Sequence, residues 1–301
     1  MATVQPGGEP VASSVATLRK AGPTARRILL GAQLRRFREA KGITLEEAGR
    51  TIRASHSKMS RMELGRVGFK DRDVADLLTE YGVLDEPKRE ALRALARQAN
   101  AQGWWHVYAD ILPSWFEAYV GLEEAASTIR TYEVQFVPGL LQTEDYARAV
   151  AKLGAADVRD EEVARRVTLR MARQKLLTAD DPLVMWAVVD EAALRRLLGG
   201  RAVMQSQVRH LIEVSSMPNV TIQVIPFHKG GHAAAGGPFS ILRFAEPDLP
   251  DVVYLEQLTS ALYLDRREDL DHYLAVMERL CLEAEPATDT ADVLGRILKE
   301  L

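Results

Sequence analysis

The chain has 301 residues, a net charge of −3 and a single cysteine, Cys281. This length is enough for two domains with a sizeable core. One cysteine excludes an internal disulfide and favours a reducing compartment. No apolar run approaches the roughly 18 residues that a membrane span needs, so we expect a soluble, cytoplasmic protein.

The small net charge conceals an asymmetry along the chain. Residues 1–70 carry a net charge of +9, and the remaining residues carry −12. A basic amino-terminal part joined to an acidic body is typical of a protein that contacts nucleic acid at one end only. A chance cluster in a charged protein is the alternative interpretation.

The first predicted helix follows a segment without regular pattern. Residues 1–24 mix Gly, Pro, Ser and Ala without a continuous apolar run, which predicts a flexible tail and not a signal peptide. Arg26–Lys41 has an apolar stripe and a basic remainder, which predicts a helix that ends at Gly42.

Two short helices joined by a tight turn are predicted next. Thr44 and Glu47 have the spacing of a capping box, so the second helix is expected to begin at Thr44. Ser55 is expected to cap a third helix that runs to about Leu64. This is the layout of a helix-turn-helix, whose second helix enters the major groove of DNA.

The polar side of the third helix carries the predicted DNA contacts. We expect His56, Ser57 and Arg61 to reach base edges, and Arg66 and Lys70 to contact phosphates. The complete predicted contact set is Thr44, Ser55, His56, Ser57, Lys58, Ser60, Arg61, Arg66 and Lys70. A solvated polar face on an ordinary small helix is the alternative.

The remaining pattern predicts two domains. Helices at 71–81 and 86–102 complete a mainly α, five-helix domain of residues 25–102, and residues 103–301 form an α+β domain with a largely antiparallel sheet. In the second domain, strands are predicted at 183–189, 220–226, 239–244, 252–257 and 261–265, among helices at 115–127, 143–153, 159–178, 190–198, 201–215, 267–283 and 287–300.

The second domain contains several groups of residues that are candidates for a binding or catalytic site. The candidate ligand or partner surface consists of Trp104, Trp105, Tyr108, His232 and Phe239. For the clustered aromatic residues, packing between domains is the favoured interpretation over a ligand box. His228 and His232 lie in a glycine-rich loop without a third ligand in view, so no metal and no cofactor is predicted. No nucleophile, base and oxyanion site assemble, which argues against an enzyme.

Charged residues in two predicted helices have structural explanations. Asp190 and Glu191 are expected to cap the helix that they begin. The arginines of the 159–178 helix are expected to pair with acidic residues at 160–162 of the same helix. These arginines are Arg165, Arg166, Arg170 and Arg173.

The segment Ser60-Arg61-Met62-Glu63-Leu64-Gly65 resembles the Ser-Arg-Ile-Glu-x-Gly signature of Xre/Cro-type repressors. The resemblance implies a structural ion pair between Glu63 and Arg38. Two departures from the family pattern matter. Leu45 replaces a phosphate-contacting glutamine, and Arg53 replaces the turn glycine, so it would adopt a left-handed conformation at some cost.

Motifs farther along the chain are similar to those of actinobacterial, WhiJ-like regulators. They include Gly103-Trp104-Trp105, Val137-Pro138-Gly139-Leu140-Leu141 and Pro218-Asn219-Val220. The resemblance implies a transcription regulator that binds double-stranded DNA. Regulators of this group are described as antitoxin-like, and they are often encoded beside a small BldB-like partner. We expect a homodimer, because such regulators bind symmetric half-sites. Two alternatives remain: a module whose main role is binding that partner, and a metabolite-binding or enzymatic C-terminal domain.

Overall fold

The computed structural model describes residues 22–153, 159–245 and 249–301. By their contacts, the described residues divide into two compact units. Residues 22–103 with Ala245 and Leu249 form the first unit, and the other residues from Trp104 onward form the second. The predicted tail lies outside the described residues up to position 21. The first helix begins at Pro23, earlier than predicted, because a proline at the first helical position loses no hydrogen bond and has a suitable φ.

Within the described residues, the N-terminal unit consists of five helices, as predicted. They are α1 (Pro23–Ala40), α2 (Leu45–Thr51), α3 (His56–Glu63), α4 (Asp71–Glu80) and α5 (Glu86–Ala99). Their apolar faces meet in a core that includes Leu29, Leu30, Leu34, Met59, Met62, Val74, Leu77 and Leu78.

In the part of the C-terminal unit that the structure describes, six strands form one sheet. They are β1 (Thr128–Glu133), β2 (Val184–Asp190), β3 (Val220–Ile225), β4 (Phe239–Arg243), β5 (Val252–Glu256) and β6 (Ala261–Leu264). Their order is β3-β2-β1-β4-β5-β6. The β1–β2 and β2–β3 pairs are parallel, and the other three pairs are antiparallel. The sheet is mixed and mostly antiparallel, which confirms the α+β prediction.

Strand β1 has no counterpart among the predicted strands, although it lies at the centre of the sheet. It pairs with β2 in parallel and with β4 in antiparallel orientation, so it joins the two halves of the sheet. It begins three residues after α6 (Ser114–Ala125) ends. Because a six-residue strand gives a weak periodic signal, the stronger helical pattern before it extended the predicted helix to residue 127.

Helices cover both faces of the sheet. They are α6, α7 (Glu144–Leu153), α8 (Asp160–Gln174), α9 (Glu191–Arg195), α10 (Arg201–Val214), α11 (Arg267–Glu283) and α12 (Thr290–Glu300). On one face, Met277 and Leu280 of α11 pack in a core with Tyr132. On the other face, Tyr119 of α6 lies against Tyr254, with ring centroids 4.2 Å apart. No helix in the described ranges is both long and apolar enough to cross a membrane.

Candidate DNA-binding interface

Side-chain caps fix the starts of α2 and α3. The Thr44 amide donates to Glu47 Oε2 at 2.8 Å, and the Glu47 amide donates to the Thr44 hydroxyl at 3.2 Å. The Lys58 amide donates to Ser55 Oγ at 3.2 Å. Both predicted caps are confirmed. They satisfy amides that a helix N-terminus otherwise leaves without partners.

The turn between the two helices is tight and locally strained. A Cβ atom on Gly49 would lie 2.6 Å from the carbonyl oxygen of Ala54, so a larger residue does not fit there. Arg53 has a φ of 55°, the left-handed conformation expected from its position in the turn. This conformation is unfavourable for residues with a Cβ atom.

Helix α3 separates an apolar face from a polar one. Met59 and Met62 are fully buried, whereas His56, Ser57 and Arg61 are exposed. The polar face thus exposes to solvent all three residues that are predicted to read bases. The two cap residues, Thr44 and Ser55, are exposed too, and Ser60 is half-buried.

Lys58 differs from the other predicted contacts on α3. Its ammonium nitrogen lies 3.7 Å from Asp73 Oδ2, and the Asp73 side chain is only 4% exposed. A buried carboxylate needs compensation for its lost hydration. The contact therefore directs Lys58 toward α4, and its role includes compensating Asp73.

A buried ion pair sets the position of α3 against α1. Arg38 Nε donates to Glu63 Oε1 at 2.6 Å, and Arg38 Nη2 donates to Glu63 Oε2 at 2.9 Å. Arg38 Nη1 also donates to the Ile43 carbonyl at 2.8 Å. The hydrogen bonds to Glu63 raise the pKa of Arg38 although burial opposes the charge. The Arg38 guanidinium thus connects α1 with the segment before α2 and with α3. Arg38 and Glu63 are the two residues that the family resemblance predicts to pair.

Gly31 and Asp73 belong to this framework but were not singled out in the sequence. A Cβ atom on Gly31 would collide with the carbonyl oxygens of Met62 and Glu63. Helix α1 therefore crosses the end of α3 with its backbone in direct contact. A glycine within an apolar stripe was the available signal for this crossing; nothing in the local sequence marks Asp73 as buried.

The predicted phosphate contacts follow α3. Arg66 and Lys70 are both exposed, and Lys70 occupies the position that precedes the first turn of α4. Exposed cations beside a polar helix face suit the backbone of DNA, because phosphate contacts set the register without reading sequence.

Two family models match the chain. One, described as a helix-turn-helix domain, matches residues 29–98. The other, described as a domain of unknown function (DUF5753), matches residues 116–296, which is more than half of the chain. The chain belongs to the DUF5753 family. No curated protein and no solved structure matches it. The first match spans α2, the turn and α3, so the N-terminal unit is a helix-turn-helix domain of the DNA-binding type.

The candidate ligand surface of the DUF5753 domain does not come together as one site. Trp105 is buried and packs with Val120 and Leu169. Trp104 remains 39% exposed, and Tyr108 packs at the margin of the same cluster. His232 and Phe239 belong instead to the surroundings of Tyr132. The aromatic cluster thus contributes packing inside the DUF5753 domain.

His232 is bound within a polar cluster at the ends of β1 and β2. Its Nε2 lies 3.0 Å from the Tyr132 hydroxyl and 3.5 Å from Asp190 Oδ2. Asp190 also accepts the Ala192 amide at 2.8 Å, which confirms its predicted capping role. His228 lies 3.7 Å from Glu285 instead. The two histidines have different partners, and the described residues contain no group of three suited to a metal ion.

The arginines of α8 mostly do not pair within their own helix, contrary to expectation. Only Arg166 bonds to a carboxylate of α8, that of Glu162, at 2.6 Å. Arg165 pairs with Asp110 at 2.7 Å. The remaining two contact other segments, Arg170 donating to Gln142 and Arg173 to Glu123. The prediction was wrong because helical spacing does not reveal which side of α8 is covered by the fold.

Proposed function

We propose that the protein is a sequence-specific transcriptional regulator that places α3 in the major groove of double-stranded DNA. The observation that carries this proposal is the exposed row of His56, Ser57 and Arg61, opposite two buried methionines on a helix held by the Arg38–Glu63 pair. A guanidinium is suited to donate two hydrogen bonds to guanine. Arg66 and Lys70, which follow the reading helix, then contact phosphates.

In this proposal the DUF5753 domain forms a homodimer and senses a partner or ligand, without a cofactor and without catalysis. A dimer would place two α3 helices on half-sites about one helical turn apart. The resemblance to WhiJ-like, Xre-type regulators of actinobacteria supports this arrangement and a location in the cytoplasm. Copurification of a small BldB-like protein with the full chain would instead favour an antitoxin-like role.

The first experiment is a selection from a random DNA pool with the full-length protein. We expect an enriched inverted repeat, because a symmetric dimer reads two equal half-sites. A folded sample that enriches no sequence would contradict the proposal of autonomous sequence-specific binding.

The residue-level test is Arg61→Ala, measured against the selected operator and a scrambled duplex over a range of salt concentrations. Sequence preference should decrease by about 1–3 kcal/mol while most of the salt-dependent, non-specific affinity remains. Arg201→Ala is the matched control, since Arg201 is an exposed arginine on α10 of the DUF5753 domain. An unchanged preference in Arg61→Ala would remove Arg61 from the set of base readers.

A further inference from the structure

The sheet of the DUF5753 domain has two edge strands, β3 and β6, and the chain itself covers the outer edge of β3. The Glu285 amide donates to the Val224 carbonyl at 2.9 Å, and the Thr290 hydroxyl donates to the Ile222 carbonyl. Glu285 lies between α11 and α12, and Thr290 is the first residue of α12. An edge whose outward carbonyls are occupied in this way is protected from pairing with a further strand.

The other edge strand, β6, has β5 as its single neighbour among the described strands. The Gln257 amide donates to the Ser260 carbonyl at 2.9 Å and closes the hairpin between β5 and β6. Hydrogen-bonded pairs alternate with non-bonded pairs along an antiparallel ladder, so residues 262 and 264 bond to β5. The backbone amides and carbonyls of residues 261 and 263 are therefore directed toward the outer edge of the sheet.

The residues of β6 lack the features that commonly protect an edge strand. Proline, lysine and inward-pointing charges serve that purpose, and none of them occurs in Ala261–Leu264. Leu262 is 53% exposed, and Leu258 in the hairpin turn is fully exposed. The Tyr263 hydroxyl donates to the Trp115 carbonyl at 2.5 Å, which holds the strand in place from the opposite face. An ordered, apolar edge strand of this kind is a template for a second strand.

A second copy of β6 fits this edge in one symmetric register. Residues 261 and 263 of both copies bond to each other only if residue 261 of one copy lies opposite residue 263 of the other. The two-fold axis then passes between the two Leu262 residues, which form a non-hydrogen-bonded pair with Cα atoms about 4.5 Å apart. A shift by two residues in either direction would leave one outward residue of each copy opposite a residue beyond β6.

The charges of the chain are compatible with this register. Leu264 lies opposite Ser260 of the second copy, and Asp265 lies opposite its Thr259, so no two like charges face each other. The chain after residue 70 carries a net charge of −12, which makes two copies repel each other over most of their surfaces. An uncharged edge strand is the place at which two such acidic bodies can approach with the least repulsion.

We propose that β6 is the dimer interface, with the β6 strands of two copies paired in antiparallel orientation about a two-fold axis at Leu262. The two sheets then continue into each other, with Leu262 buried at the centre of the seam and Leu258 near each end. This inference rests on the homodimer of the proposed function and gives it a surface. It does not depend on how α3 contacts DNA.

The first test is disulfide cross-linking of the full-length protein. Leu262→Cys is made in a Cys281→Ser background, so that the introduced thiol is the only one. Cα atoms about 4.5 Å apart are within the range that a disulfide bridges. Oxidation with copper phenanthroline should therefore give a covalent dimer on a non-reducing gel. Leu197→Cys in the same background is the control, since Leu197 is 50% exposed and follows α9. No dimer from Leu262→Cys, or an equal yield from the control, would overturn the proposed axis.

The second test is sedimentation equilibrium of the full-length wild type and Leu262→Lys. The substitution should raise the dissociation constant of the dimer by at least about tenfold, because two lysines would oppose each other at the axis and two leucines would no longer be buried there. Leu197→Lys should not change it. Leu262 is already exposed in a single copy, so Leu262→Lys should keep its fold, as circular dichroism would verify. An unweakened Leu262→Lys dimer would refute the β6 interface and leave the homodimer intact, whereas a monomeric wild type would overturn both.

Discussion

The two units of the chain each contain a buried, two-pronged Arg–Glu pair, and the comparison shows what each unit depends on. In the N-terminal unit, Arg38 and Glu63 are 25 residues apart; in the DUF5753 domain, Arg173 and Glu123 are 50 residues apart. The first pair connects neighbouring helices that local signals define. The second connects α6 to α8, which β1 and α7 separate along the chain, so it depends on a longer-range arrangement. The same kind of ion pair therefore depends on short-range order in the N-terminal unit and on long-range order in the DUF5753 domain.

The largest expected effect in this comparison comes from breaking the second pair. Glu123→Ala would leave Arg173, which is 5% exposed, as a buried charge without its carboxylate. The rings of Phe116 and Tyr119, 5.2 and 5.5 Å from the guanidinium, compensate only part of it. We expect the free energy of unfolding of the DUF5753 domain to fall by about 3–5 kcal/mol.

Denaturation followed by tryptophan fluorescence measures this loss selectively, because all four tryptophans follow residue 103. Glu278→Ala is the control, since Glu278 is an exposed glutamate on α11. If the free energy of unfolding fell no more in Glu123→Ala than in the control, the burial of Arg173 would not depend on its ion pair with Glu123.

The same contrast explains what could be predicted from the sequence. The helices of the N-terminal unit and the caps at Thr44 and Ser55 were predictable because their signals lie within a few residues, whereas the strain at Arg53 was inferred from the family resemblance. The Arg38–Glu63 contact was accessible through a family signature and not through spacing. Gly31 was not recognised, because its role depends on which helix crosses it.

The DUF5753 domain was predictable in its parts but not in their arrangement. Five of its strands were predicted close to their observed bounds, whereas β1, the strand that determines the sheet order, was missed. Without β1, no pattern could place the strands β2 and β4 on either side of it or direct Arg170 and Arg173 away from their own helix. Sites formed by strand order are therefore the ones that this sequence did not reveal.

A smaller effect is expected from Thr44→Ala in the helix-turn-helix. Loss of the capping hydroxyl should destabilise α2 by about 1 kcal/mol, measured as faster hydrogen exchange in a peptide that covers 45–51. Thr44→Ser, which keeps the acceptor oxygen, should restore most of the protection.

The cap also predicts a pH dependence. The Thr44 amide and then its hydroxyl lower the pKa of Glu47. This contribution to stability is therefore present above the unfolded-state pKa of Glu47 and is lost as pH falls through the folded-state value. Acid should lower the protection factors of α2, taken relative to intrinsic exchange at each pH, more in the wild type than in Glu47→Gln, which cannot titrate. An equal loss of protection in both proteins would show that the capping box is not formed in solution.

The smallest expected effect has the opposite sign and concerns Arg53. Its left-handed conformation costs about 1–2 kcal/mol, of which a glycine would regain all but its own backbone entropy of about 0.5–1 kcal/mol. Arg53→Gly should therefore stabilise the turn slightly, by about 0.5 kcal/mol, in a denaturant titration followed by hydrogen exchange of α2 and α3. Arg53→Ala keeps the strain, so it should not be stabilised.

The comparison of Arg53→Gly with Arg53→Ala also separates the effect of backbone strain from the effect of the lost charge. Arg53 is exposed beside the start of α3, so both substitutions remove a cation that can approach phosphate, and both should weaken DNA binding to a similar extent with a smaller salt dependence. If Arg53→Gly gains stability while losing affinity, the arginine is held in an unfavourable conformation for its charge. If the two variants bind DNA as the wild type does, Arg53 is not part of the DNA interface and the strain at this turn has no counterpart in DNA binding.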